Sequence, residues 1–309
     1  MHIQRAILMA ALTGLLLPGF ALAGNMAEWT YTAGGWSSPN FAPGSFTHGV
    51  AAYQAGGVNE IVALSDASGV AEYYRLAGPP GQYGFAGQVL NSPTVRDVDS
   101  DDLRNGSRMF ITDATGINEI RWVSPSWIVE STIATGSDFV AGTIANDQDR
   151  LWALKSDGTI YEYNRTGATT WAQMGDIFPG SYVDVACRSR NITITFGLRD
   201  TGFDEFAGGQ LVRSHNDLFS GATGIAVWSD YDNVFVSTKT GLLHLVRDSG
   251  LSFTPAGVRV IDGSIGYLDV EAPTEMSGTA FDLWAIQVPE PTTAFGLLLA
   301  VSVLVRRRH

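Results

Sequence analysis

A short hairpin recurs along the chain, and it constrains the fold more than any other feature of the sequence. Val62-Ala63-Leu64-Ser65-Asp66-Ala67-Ser68-Gly69-Val70-Ala71-Glu72-Tyr73 returns as Met109-Phe110-Ile111-Thr112-Asp113-Ala114-Thr115-Gly116-Ile117-Asn118-Glu119-Ile120. A third copy runs from Leu151-Trp152-Ala153 to Asp157-Gly158-Thr159-Ile160-Tyr161-Glu162. A weaker fourth runs from Thr195-Phe196 to Thr201-Gly202-Phe203-Asp204-Glu205-Phe206, and a fifth from Val234-Phe235-Val236-Ser237 to Thr240-Gly241-Leu242-Leu243-His244-Leu245. In each copy apolar residues form a strand, polar residues turn the chain, and a closing glycine can take a positive φ that strains other residues.

The anchor glycines 69, 116, 158, 202 and 241 are spaced 47, 42, 44 and 39 residues apart. A period in the low forties with several strands per unit predicts an all-β fold of the β-propeller type. Units also carry an apolar strand upstream of the glycine, at Val50-Ala51-Ala52-Tyr53, Phe139-Val140-Ala141, Tyr182-Val183-Asp184-Val185 and Ile225-Ala226-Val227. A further unit is cut short after Tyr267-Leu268-Asp269-Val270 and Phe281-Asp282-Leu283-Trp284-Ala285-Ile286. The alternating Glu28-Trp29-Thr30-Tyr31-Thr32 can supply its missing outer strand, so an N-terminal strand is expected to close the last blade and remove a sheet edge. Six blades are preferred, with five as the alternative. A β-sandwich would not hold five glycines in register.

Composition removes several functions. Nineteen basic against 31 acidic residues give a net charge of -12, with only Lys155 and Lys239 as lysines. No basic face is available for nucleic acid. Cys187 is the sole cysteine, which excludes an intramolecular disulfide and a cysteine-based zinc site. The 45% apolar content supports a folded core.

Both ends read as addresses. Residues 1–23 carry Arg5, an apolar stretch from Ala6 to Ala21, and small residues Ala21 and Ala23 at the positions a signal peptidase reads. Cleavage there makes Gly24 the mature start and 24–287 the repeat domain. Residues 288–309 contain Val288-Pro289-Glu290-Pro291, an apolar run from Ala294 to Val305, and Arg306-Arg307-Arg308. Twelve apolar residues are short of the roughly 20 that a span needs, and proline on both sides keeps Glu290 extended. This order resembles the PEP-CTERM sorting signal of Gram-negative-type bacteria that make exopolysaccharide. The resemblance implies cutting near Pro289 to Pro291 by an exosortase, membrane contact only through the tail before processing, and delivery to the cell surface, outer envelope or extracellular matrix. It implies nothing about the repeat domain's ligand.

Within the repeat domain, Arg96-Asp97-Val98-Asp99-Ser100-Asp101-Asp102 places carboxylates at alternate positions, which suits a hard cation. It resembles the calcium loops of integrin-type propeller repeats but lacks glycine at Ser100 and Asp102. Asp97, Asp99 and Asp101 are therefore the candidate calcium ligands, and calcium the one candidate cofactor; Asp147 to Asp149 and Asp230 to Asp232 favour ordinary turn chemistry instead. Asp97, Asp184 and Asp269 each precede a Val in the first strand of a unit. They are expected either to face one another in the central channel or to bond to neighbouring blade backbones. Trp152 and Trp284 read as inter-blade packing, whereas Trp36, Trp127 and Trp171 stay open as sugar-stacking positions. His244 reads as a strand-surface residue, Cys187 as buried. No catalytic residues are assigned: the histidines lack metal-ligand spacing and no Gly-x-Ser-x-Gly elbow occurs. The expected role is a non-enzymatic module for glycan, cation or protein, with exopolysaccharide or matrix proteins as partners. The alternative is a secreted propeller enzyme, a polysaccharide lyase or glycoside hydrolase.

Overall fold

The computed structural model describes residues 24–288 except 33–34, 38, 56–58, 77–81, 101–107, 146–148, 189–193, 229–231, 249–251 and 273–280. Ala21, Ala23, Asp101, Pro289, Glu290, Pro291, Arg306, Arg307 and Arg308 lie outside the described residues. Every long element is a strand, as the repeat predicts. Four meanders of four strands stand as separate blades. They are β7–β10 (Asp97–Ser100, Arg108–Asp113, Gly116–Val123, Ser126–Thr135), β11–β14 (Phe139–Ile144, Arg150–Lys155, Ile160–Arg165, Trp171–Phe178), β15–β18 (Asp184–Arg188, Ile194–Arg199, Gly202–Ala207, Gln210–His215) and β19–β22 (Ala222–Val227, Asn233–Thr238, Gly241–Val246, Val258–Asp262).

The other eight strands form one continuous sheet. It joins β23 (Tyr267–Glu271), β24 (Phe281–Gln287), β1 (Gly24–Thr32) and the short β2 (Gly35–Trp36) to β3 (Asn40–Ala55), β4 (Asn59–Asp66), β5 (Gly69–Arg75) and β6 (Tyr83–Asn91). Six separate blades, or five, were expected; four separate blades and one eight-stranded sheet are observed. The cause is β1. It pairs antiparallel with β24 from Met26↔Ile286 to Tyr31↔Phe281, which closes the last unit as predicted. It also pairs with the start of the long β3, through Met26↔Ala42 and Glu28↔Asn40, and so fuses the two units beside the chain ends.

Around the axis, the innermost strands β3, β7, β11, β15, β19 and β23 pack each against the next and close a ring. The fused sheet thus covers two of six sectors, numbered here 1 (β3–β6) to 5 (β19–β22) and 6 (β23, β24, β1, β2). An apolar cluster fills each junction between neighbouring sectors. Phe196, Phe203 and Val236 lie between sectors 4 and 5, and Met26, Phe46 and Trp284 between 6 and 1. Trp152 and Trp284 are buried at such junctions, as expected.

The anchor glycines have one shared reason. Gly69 and Gly116 adopt φ +143° and +145°, but Gly202 and Gly241 lie outside that region. At all four a Cβ would strike a backbone carbonyl of the outermost strand: Leu90, Ala134, His215 and Asp262. Close approach of two strands, more than backbone hand, selects glycine here.

A longer period is superimposed on the single-unit repeat. Glu28, Glu119 and Glu205, in sectors 6, 2 and 4, are buried and receive guanidinium groups from the next sector. Arg75 Nη2 lies 2.8 Å from Glu28, Arg165 Nη2 2.8 Å from Glu119, and Arg247 Nη1 3.0 Å from Glu205. Arg165 and Arg247 stack on Trp171 and Phe253, at 4.3 and 4.5 Å; Tyr83 pairs with Arg75 at the matching register. The ring is thus a three-fold array of sector pairs: 2 with 3, 4 with 5, and 6 with 1. Burial alone would raise the Glu119 pKa, but hydrogen bonds from Arg165 and Ser131 and the Arg165 and Arg108 charges hold it below the usual range.

Arg165→Met should leave Glu119 with a single guanidinium partner, Arg108, and cost about 2 kcal/mol in urea unfolding at pH 7, since a buried charge losing one partner is strongly penalised. A carboxylate with a lowered folded pKa stabilises above about pH 4.5 and loses that contribution as pH falls through the folded value. The difference between wild type and variant should therefore shrink below pH 4.

Candidate axial carboxylate site

The inner strands β7, β15 and β23 begin with the same dipeptide logic. Strand alternation sends Val98, Val185 and Val270 into the core and turns Asp97, Asp184 and Asp269 toward the axis. Each carboxylate reaches the inner strand of the next sector. Asp97 Oδ2 accepts the Gly142 N–H at 2.8 Å, Asp184 Oδ2 the Ile225 N–H at 2.8 Å, and Asp269 Oδ2 the Val50 N–H at 3.0 Å. Asp97 Oδ1 and Asp269 Oδ1 also accept the amides of Val98 and Val270, both at 2.8 Å. Both alternatives for these residues therefore hold together: they face one another across the axis, and they bond to neighbouring backbone.

Asp99 repeats the pattern two residues on. Its Oδ2 accepts the Ile144 N–H at 2.8 Å and its Oδ1 the Ser100 N–H at 2.7 Å. Asp97 and Asp99 thus sit on an inner strand rather than in a loop. Among the described residues no group of three or more His, Cys, Asp or Glu is placed to hold a metal ion.

These carboxylates keep an edge open to the channel while protein surrounds them. A cavity of about 170 Å³ lies at one end, lined by Gly49, Arg96, Asp97, Asp184, Thr223 and Asp269 among others. Burial, then the charges of Asp269 and Asp184, push Asp97 well above the carboxylate range. Burial and the charge of Asp269 do the same to Asp184. Asp269 is raised to about 6, chiefly by burial, against the opposing amides of Val270 and Val50. Like charges converging in a desolvated site favour retained protons.

The remaining candidates fall elsewhere. Trp171 covers Arg165, and its Nε1 lies 3.4 Å from Glu119. Trp36 and Trp127 enter junctions between sectors. His244 is buried, not on a strand surface: it stacks on Phe235 at 4.8 Å and its Nε2 lies 2.6 Å from Asn233. Burial, then Arg259, lower its pKa to about 4, so it is neutral at pH 7. Cys187 is buried as expected and lines the channel. The three Glu–Arg ties escaped the sequence reading; a comparison of every second unit, aligning Glu28, Glu119 and Glu205, would have exposed them.

The axial carboxyls set a pH dependence. A carboxyl with a raised folded pKa binds its proton in the folded state after the unfolded chain has released it, so its contribution is full below about pH 4 and lost as pH rises through the folded value. Chemical unfolding should show about 2 kcal/mol more stability at pH 5 than at pH 8. Asp184→Asn should flatten that difference; an unchanged slope would remove the axial group as its source.

No protein-family model matches the chain, and no curated protein matches it. Among solved structures it is similar to a functionally unknown protein from Desulfotomaculum acetoxidans DSM 771, with a TM-score of 0.53 and 11% identity over 74% of this chain and 78% of that one. At that identity the likeness concerns the fold alone, and it agrees with the propeller class.

Proposed function

We propose that the chain is an exported, exosortase-processed protein of the cell surface or extracellular matrix, whose propeller is a non-enzymatic binding and structural module. One observation carries this reading: the tripartite tail starts where the fold is complete. β24 ends at Gln287, the residue before the Val288-Pro289-Glu290-Pro291 motif, and the Val288 N–H is the last described bond, to Gly266 O at 2.8 Å. At the other end β1 starts at Gly24, the expected mature N-terminus, and packs so closely that a Cβ would strike Gln287 O. Cutting at both places would trim the chain beside its closing strand pair and leave every strand whole. Backbone amides that hold the axial carboxylates support a structural role for the channel.

The enzymatic alternative has one observation in its favour, the proton-retaining carboxyls beside an axial cavity, an arrangement that general-acid chemistry on polysaccharide would use. A reducing-sugar or unsaturated-product assay on the host polymer, with Asp184→Asn as control, separates it from binding.

Intact-mass analysis of the protein recovered from the native cell surface should show loss of residues 1–23 and of everything beyond the 288–291 motif. Retention of Arg306 to Arg308 on the surface form would overturn the sorting assignment. The processed protein should bind the host exopolysaccharide saturably on a glycan array, without product release. Parallel arrays with calcium and with chelator report whether a cation takes part.

A further inference from the structure

Three junctions in the ring, between sectors 1 and 2, 3 and 4, and 5 and 6, lack the Glu–Arg tie. They form the seams between the sector pairs. Two are plugged by an indole from the outermost strand of the following sector. Trp127 on β10 enters the first, packs with Ala63, Val70 and Ile120, and donates its Nε1–H to Glu72 Oε2 at 2.9 Å. Trp36 on β2 enters the last, edge-on to Phe235 at 5.8 Å and to His244 at 5.7 Å. Glu72 and His244 occupy equivalent places, opposite Ala63 and Phe235 in the strand register.

At the seam between sectors 3 and 4 the equivalent pair is Trp152 opposite Glu162. The plugging strand differs. Where β10 begins Ser126-Trp127, sector 4 turns through Gly208-Gly209 directly after Ala207 and begins β18 with Gln210. No indole enters from that hairpin, and a pocket of about 310 Å³ remains. Its walls are Trp152 and the stacked pair Phe178 and Phe206, whose rings lie 4.1 Å apart. Arg150, Glu162 and Asn164 line it too, and the Asn164 amide, oriented by its network, donates to Glu162 Oε1 at 2.9 Å.

We propose that this pocket binds a flat, N–H-bearing bicyclic aromatic ring, either a free indole-type molecule or a tryptophan side chain presented by a partner. The two plugged seams show what the slot accepts: an indole held by apolar faces, with its N–H turned toward a carboxylate in the first. Glu162 stands where Glu72 stands, and aromatic rings stand where a planar guest would pack. A sugar ring needs polar partners around most of its edge, whereas much of this wall is aromatic. The inference is independent of the export and matrix reading and stands if that one fails.

The test titrates the purified full chain by calorimetry with indole, with N-acetyl-tryptophanamide, and with benzofuran, which has the same shape but no N–H. One molecule of indole or of the amide should bind per chain, and benzofuran about tenfold more weakly, the scale of one hydrogen bond to a charged group. Binding of the amide as tightly as indole identifies a peptide tryptophan as the guest; tight indole alone identifies a small molecule. Glu162→Leu should equalise indole and benzofuran. A crystal of the native chain soaked with 5-bromoindole needs no variant, and its bromine peak should fall between Trp152 and Phe206. Trp127→Gly should open a second site and raise the stoichiometry to two. No indole binding at millimolar concentration, equal affinity for benzofuran in the native chain, a bromine peak elsewhere, or monosaccharide binding in the pocket without indole would each overturn the proposal.

Discussion

A carboxylate buried between two sheets must be answered by a donor from the neighbour, and the ring is organised by where those answers come from. Asp97, Asp184 and Asp269 take backbone amides from the next inner strand near the axis. Glu119, Glu205 and Glu28 take guanidinium groups from that same next sector farther out. Each even-to-odd junction is therefore tied at two radii. The three intervening seams carry weaker polar links, one hydroxyl apiece: Ser100 Oγ to Ala52 O at 3.2 Å, Thr143 Oγ1 from Cys187 N at 3.1 Å, and Thr223 Oγ1 to Tyr267 O at 2.7 Å. Breaking a tied junction orphans a buried charge, while opening a seam exposes apolar surface and one hydroxyl.

The two kinds of carboxylate pull in opposite directions with pH. Guanidinium partners hold Glu119 and Glu205 below the usual range, so they reward ionisation. The axial aspartates meet only amides and one another, and retain protons. The tied junctions therefore resist mild acid at their outer radius and are relieved by it at the inner radius. That arrangement suits a rigid frame: neither end of the ordinary pH range loosens both radii at once.

The sequence shows the strand order plainly because the repeated unit is local. Three apolar residues, a polar turn and a glycine are all contained within a dozen positions, and the alternation of Glu28 to Thr32 marks a strand that needs a distant partner. The fusion of the end sectors was not legible, because it depends on β3 extending back to Asn40 and meeting a β1 already paired with β24. Asp97, Asp184 and Asp269 were recognisable from the Val that follows each. The Glu–Arg ties were not, since Arg75, Arg165 and Arg247 recur every second unit and look like solvated strand ends in any single copy. His244 was misplaced for a related reason. It occupies the position of Glu72 and Glu162, which a unit-by-unit reading places on a polar strand face but the ring buries against the next sector.

The weakest copy of the repeat is also the most informative one. Its divergence has two parts with different physical meaning. Gly202-Phe203-Asp204-Glu205 preserves the inner features that tie sector 4 to sector 5, including the buried glutamate and the close glycine approach to His215. What changes is the outer hairpin, where Gly208-Gly209 replaces the longer turn that carries Trp127 in sector 2. A unit under stability selection alone would keep the plug, because an indole in a seam removes apolar surface from water at a cost of only two ordered torsions. Sector 4 instead combines a preserved frame with an emptied seam, and the neighbouring sector supplies the larger Trp152 where sector 1 has Ala63. Loss confined to the one element that would fill the slot, with the walls intact on both sides, is the pattern that separates a made opening from decay of a repeat.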